Sequence, residues 1–124
     1  MKNILLLLLI TMLCSFQPNN EVHLTLSTLV KENKLSLKQL KQLKTLEINT
    51  EQARFLSCNV MVVPINHQDM YEFTLKSPDL LSHIEYKLML SKLTSGDKVY
   101  LEDITVLLPT GNSVAVKPIV FTVN

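Results

Sequence analysis

A chain of 124 residues, 47% of them hydrophobic, is long enough for one buried core and short for two. Its 12 basic and 11 acidic residues leave a formal net charge of +1, so no positive field exists to attract nucleic acid or anionic lipid. Two cysteines, Cys14 and Cys58, exclude a disulfide scaffold.

The first element is a leader. Met1-Lys2-Asn3 supplies one positive charge, Ile4 to Leu13 is apolar apart from Thr11, and polar residues follow from Gln17 to Glu21. That layout predicts a secretory signal peptide over residues 1–15. A spanning helix needs about 20 apolar residues, and this run is shorter. Cleavage after Ser15 suits the small residue there, although Leu13 is bulkier than usual two positions earlier. A lipid anchor on Cys14 is the alternative, disfavoured because Leu13 and not a small residue precedes it. The expected address is therefore periplasmic or secreted, or the cell envelope if Cys14 is lipidated. Loss of the leader would leave Cys58 unpaired.

Val22, Leu24, Leu26 and Val30 alternate with polar neighbours, which predicts a half-buried strand. Lys31 to Lys34 reads as a turn in which Asn33 can take positive φ. Ser36 with Gln39 three residues on forms a capping box, and Leu35 can staple to Leu40. A helix follows over 36–45, with Leu37, Leu40 and Leu43 inward. Lys34, Lys38, Lys41 and Lys44 fall on its solvated face and make no phosphate patch. Phe55 to Val63, rich in Val with few charges, predicts a central strand buried on both faces, Cys58 serving as a small hydrophobe within it. Pro64 stops the ladder, and Ile65 to Asp69 makes a turn.

Tyr71, Phe73 and Leu75 alternate with Glu72, Thr74 and Lys76 as a second strand. Ser77-Pro78 then opens a helix over 78–94 whose expected inward stripe is Leu80, Leu81, Ile84, Leu88 and Leu93. Gly96 ends it in left-handed backbone. Gly96 to Ile104, Pro109-Thr110-Gly111 and Lys117 to Phe121 read as two antiparallel strands around a Pro/Gly turn. Strict alternation puts Glu102 and Asp103 on opposite faces, unable to act as an acid/base couple; the structural reading is an inward carboxylate that caps nearby backbone or marks a bulge, and the functional one is a docking contact. Lys117-Pro118 inside a strand marks an edge or bulge, making Val114 to Val123 a candidate for lateral pairing with another chain. The sum is an α+β domain over 21–124: an antiparallel, β-dominated sheet with two short helices. An immunoglobulin-like β-sandwich is the alternative if the strands split into two layers.

The string Gly96-Asp97-Lys98-Val99-Tyr100, continued by Glu102-Asp103-Ile104, resembles the closing segment of the GldM (PorM) family of gliding motility and type IX secretion. Asn33 to Leu40, the Leu46 to Ile48 exit, Arg54-Phe55 and the segment Ser77 to Thr94 resemble the rest of that family's C-terminal periplasmic domain. The resemblance thus covers about residues 24–124. It implies a rigid periplasmic docking domain that also contributes to homodimer formation. Two departures limit it. The family's closing turn begins Gly-Pro and carries an acidic residue before its second glycine, where this chain has Leu108-Pro109-Thr110-Gly111. Family members also carry a spanning helix and tandem domains that energise the machine, and no such role is expected here.

The residues offer no reaction. His23, His67 and His83 have no partners at metal-ligand spacing, and the serines and Cys58 lack a paired base. The expectation is a non-catalytic protein without cofactor or metal. Two functions remain. The first is docking to a protein partner or a second copy, with Pro109, Thr110, Gly111, Lys117 and Pro118 as contact residues. The alternative is a periplasmic or secreted peptide- or glycan-binding protein. Three Tyr, four Phe and no Trp, mostly on alternating strand positions, leave few aromatics for a pocket, which favours docking.

Overall fold

The computed structural model describes residues 22–124, so the signal-peptide and Cys14 expectations lie outside the described residues. In chain order the elements are α1 (Leu26–Leu29), β1 (Lys34–Leu35), α2 (Leu37–Gln42), β2 (Arg54–Val63) and β3 (Tyr71–Leu75). A 3-10 turn (Leu80–Ser82), α3 (Ile84–Lys92), β4 (Lys98–Leu107), β5 (Ser113–Val116) and β6 (Ile119–Val123) follow.

All six strands join one sheet in the order β1-β6-β4-β2-β3, with β5 also paired to β4. Strand β2 runs along one side of β4 for its whole length, so β5 and β6 share the other side end to end. Every pairing is antiparallel except β1 with β6, which is parallel. The fold is therefore α+β as expected, with a mixed sheet in place of a wholly antiparallel one. The strands make a single sheet and not the two layers of a sandwich. The parallel pair arises because Thr122 and Asn124 donate N–H groups to the carbonyls of Asn33 (2.7 Å) and Leu35 (2.9 Å).

One face of the sheet carries the core. Phe55, Val60, Val62, Leu75, Val99, Leu101, Ile104, Val106 and Phe121 pack there with Leu26, Leu40, Tyr86 and Met89 from the helical side. The other face is open. Met61, Tyr100 and Val120 are directly paired across β2, β4 and β6 and form an apolar row on it. Strand β2 is thus central but buried on one face only, which corrects the expectation of burial on both. Antiparallel sheets tolerate this arrangement, whereas the apolar composition alone reads as two-sided burial.

Local signals act where they stand alone. Ser36 and Gln39 close the capping box: the Ser36 hydroxyl accepts from Gln39 N–H (3.1 Å), and Gln39 Oε1 accepts from Ser36 N–H (3.0 Å). Asn33 takes φ of 60° in its turn, and Gly96 takes 97° in the turn before β4, although it does not end the helix as expected: α3 stops at Lys92 with Leu93 extended. Several elements differ from expectation: Lys34–Leu35 forms a strand at the end of the expected turn, and the second closing strand is broken into β5 and β6. The strand predicted over Val22 to Val30 keeps one bridge, Leu24 to Ile48, and then coils into α1. There the Ser27 and Thr28 hydroxyls donate to the carbonyls of Leu24 (2.7 Å) and Thr25 (2.6 Å), which favours a helical turn over a ladder.

The helix predicted over 78–94 is split. Leu46 N–H donates to the Pro78 carbonyl (2.8 Å) and Leu80 N–H to the Lys44 carbonyl (3.0 Å), so the first-turn groups are spent on the preceding segment. Ser77 and Asp79 cap a 3-10 turn, His83 is extended, and α3 begins only at Ile84. The break resets the helical phase. Leu80 and Leu93 are buried as expected, but Tyr86 and Met89 complete the inward stripe, while Leu81, Ile84 and Leu88 face solvent at 42%, 68% and 51% exposure.

Candidate functional site

The expected contact residues gather along one margin of the sheet, the outer side of the β4–β5–β6 hairpin. At its tip Gly111 N–H donates to the Leu108 carbonyl (2.9 Å) and Leu108 N–H to the Asn112 carbonyl (2.8 Å). Pro109 and Thr110 occupy the corner positions, and Gly111 takes φ of 91°. With positive φ absent at Thr110, this is a type I turn, for which proline at the first corner is well suited. No atom lies within 4 Å of where a Gly111 Cβ would stand, so only backbone conformation requires glycine there.

From the tip, β5 pairs Ser113 to Val116 against Leu107 to Ile104. Strand β6 then pairs Ile119 to Thr122 against Leu101 to Lys98. Between these registers two residues on each strand leave the ladder, Glu102-Asp103 on β4 and Lys117-Pro118 opposite. Asp103 has φ of 51°, the backbone of a bulge, and proline's missing N–H costs nothing at a place where no ladder bond is made. Both readings of these residues as bulge formers hold. The expectation of opposite faces for the carboxylates does not: Glu102 pairs directly with Asn59 on the open face, and the bulge brings Asp103 to the same side. There Asn59 Nδ2 donates to Asp103 Oδ2 (3.1 Å), and the Thr74 hydroxyl donates to Asn59 Oδ1 (2.9 Å). The carboxylate is tied into a chain across β3, β2 and β4.

The kink also meets the amino-terminal segment. Lys117, Pro118 and Ile119 line a cleft of about 240 Å³ with His23, Leu24 and Ser27. Beyond it, β1 occupies the outer edge of β6 at Thr122 and Val123. The stretch Val114 to Val123 is therefore not open throughout, which corrects the sequence reading. What stays free of a strand neighbour in this stretch is the outer side of β5, whose inner side pairs with β4. The Leu108–Asn112 bond sets the alternation: Val114 and Val116 turn their backbone groups to β4, while Ser113 and Ala115 turn theirs outward. Ser113 and Ala115 are also exposed, whereas Val116 is buried. These outward groups were not singled out by sequence reasoning, although alternation counted back from Pro118 would have found them.

Beneath the bulge lies Cys58, the free thiol of β2. Burial, and to a lesser extent the Asp103 charge, pushes it from 9.0 up to about 12. A thiol so raised stays protonated and is a poor nucleophile. Because its folded value lies above the unfolded one, its stabilisation is complete below pH 9 and is lost as pH rises towards 12. Each pH unit in that window should cost up to about 1.4 kcal/mol. Urea midpoints of the wild type should fall from pH 9 upward. Those of Cys58→Ala should hold until the Tyr86 phenol, which burial raises from 10.0 to about 12, begins to respond. Parallel curves for the two proteins would remove burial of the thiol as the cause.

Other surfaces are less pointed. A broad groove of about 620 Å³ lies between Leu46–Phe55 and Lys76–Pro78, with Glu47, Glu51, Arg54 and Lys76 on its walls. Its one aromatic, Phe55, is buried and offers no stacking platform. The backbone N–H of His23 donates to Asn49 Oδ1, the His83 ring lies against the Ser77 carbonyl, and His67 sits at positive φ in a turn. Among the described residues no three His, Cys, Asp or Glu side chains gather to hold a metal ion. Nor is any described helix long and apolar enough to cross a membrane.

These features define an α+β domain with an open strand edge beside a proline kink. No family model, curated protein or solved structure matches the chain.

Proposed function

We propose that this chain is a small exported, non-catalytic docking domain, similar in kind to the last periplasmic domain of GldM and associated with gliding or type IX secretion machinery. The observation that carries the docking reading is β5: it pairs with β4 on one side and has outward backbone donors and acceptors with no strand on the other. Such an edge pairs with another extended segment by main-chain hydrogen bonds. The tip at Pro109-Thr110-Gly111 and the Lys117-Pro118 kink bracket it and limit the pairing to one short register. The export part of the proposal rests on the leader-like residues 1–15, and the family part on the Gly96 to Ile104 string.

The test is crosslinked pull-down of the native processed protein from its own cell envelope, compared with Ala115→Pro. Residue 115 directs its N–H away from β4, so proline there removes an outward donor and spares the ladder. Secretion or gliding components should be recovered with the wild type and lost with the variant, whose circular dichroism should be unchanged. Recovery of the same protein partners by both forms would place docking elsewhere. Consistent recovery of a glycan or free peptide would favour the ligand-binding alternative.

A further inference from the structure

We propose that the β5 edge receives an extended segment of a partner protein whose Asp or Glu side chain is bound in the adjoining cleft; this rests on the docking reading above and names the partner's chemistry. The layout of the margin comes first. Strands β5 and β6 lie end to end on one side of β4, and β1 covers the outer side of β6 at Thr122 and Val123. The cleft of about 240 Å³ at Lys117, Pro118 and Ile119 therefore stands between the open edge and the covered one. A strand added to β5 runs along the open edge, and its end nearest the kink meets His23, Leu24 and Ser27.

The cleft selects the charge. Leu24 and Ile119 make its walls apolar, and no acidic residue lines it. Among the described residues neither the Lys117 ammonium nor the His23 ring has a hydrogen-bond or ion-pair partner. The acids opposite the kink, Glu102 and Asp103, lie on the open face, where Asn59 already holds the Asp103 carboxylate. Backbone donors around the cleft are spent: His23 N–H bonds Asn49, Ser27 N–H bonds the Leu24 carbonyl, and Pro118 has none. The Ser27 hydroxyl also gives its proton to the Leu24 carbonyl (2.7 Å). A chain-terminal carboxylate is usually captured by clustered backbone N–H groups, and that nest is missing here. Two side-chain donors beside apolar walls suit instead a carboxylate on a short aliphatic stem.

The test is fluorescence anisotropy with short peptides of alternating Val and Thr, acetylated and amidated, that carry Glu, Gln or Lys at one end or the other. With the charge at the end that meets the cleft, the Glu peptide should bind the processed wild type several-fold more tightly than the Gln peptide. That margin should shrink in high salt. Lys117→Glu should reverse the preference towards the Lys peptide, and His23→Ala should narrow it. Ala115→Pro should weaken all three peptides alike. Because Lys117 is exposed, its variant should keep the wild-type circular dichroism. Equal binding of the Glu and Gln peptides, or a preference that Lys117→Glu leaves unchanged, overturns acid recognition. If those same peptides still lose affinity with Ala115→Pro, the docking reading survives without it. A Gln peptide with a free C-terminal carboxylate that matches the amidated Glu peptide assigns the cleft to a chain end and also overturns the proposal. If no peptide binds the wild type, the proposal falls, and the envelope pull-down with Ala115→Pro decides the docking reading separately.

Discussion

Asp97→Ala is expected to lower the stability of the domain by about 2–4 kcal/mol, among the largest effects of any single polar substitution here. Asp97 is the buried charged residue among the described ones. Its Oδ1 accepts from Ile65 N–H (3.0 Å) and from the Thr94 hydroxyl (3.3 Å), and its Oδ2 accepts from Thr94 N–H (2.9 Å). Its own carbonyl accepts from Val123 N–H (2.8 Å). The carboxylate therefore fastens the exit of β2 to the end of the α3 segment, while the backbone bond to β6 is independent of the side chain. Alanine leaves the Ile65 and Thr94 amides without their partner in a partly dry site, and the missing bonds cost more than the lost attraction. Asn keeps one acceptor but presents an NH2 group to a donor, so Asp97→Asn recovers only part of the loss. Urea denaturation decides the matter: a change below about 0.5 kcal/mol would mean that the carboxylate is not a fastener.

Phe121→Ala should cost about 3–5 kcal/mol, enough to consume much of the stability of a domain this size. Phe121 is 1% exposed and projects from β6 into the centre of the core. It borders a small apolar void of about 20 Å³ shared with Leu40, Val60, Tyr86 and Met89. Truncation joins that void to a new cavity, and the surrounding strands are pinned by ladders that resist collapse. Phe121→Leu should restore more than half of the loss. A cost below about 2 kcal/mol for the alanine variant would show that the helical layer closes over the gap. Both predictions concern the frame that holds the β4–β5–β6 margin, so any loss of partner recovery in either variant should track its unfolding.

How far the sequence carries can be judged from particular residues. The capping box at Ser36, the positive φ of Asn33 and Gly96, the Pro109–Gly111 turn and the bulge around Asp103 and Pro118 were all legible. Each depends on the residue itself or on neighbours within a few positions, which the one-dimensional pattern displays. The break between β5 and β6 was legible in outline for the same reason, since proline declares its own missing donor. The extent of the open edge was not: β1, far away in the chain, covers the outer side of β6 and leaves β5 as the open part.

What the sequence determined by itself is the set of local breaks and caps and the α+β alternation between them. Tertiary structure alone decided which face of α3 turns inward, that residues 78–80 bond to 44–46 and do not begin a helix, and that one strand pair runs parallel. The α3 segment is apolar on two sides, so periodicity admits either stripe, and only the pull of the Lys44 and Leu46 backbone on Pro78 and Leu80 sets its phase. Hydrogen-bond partners supplied from distant segments outweigh propensity differences of a few tenths of a kcal/mol per residue, and no local pattern records them.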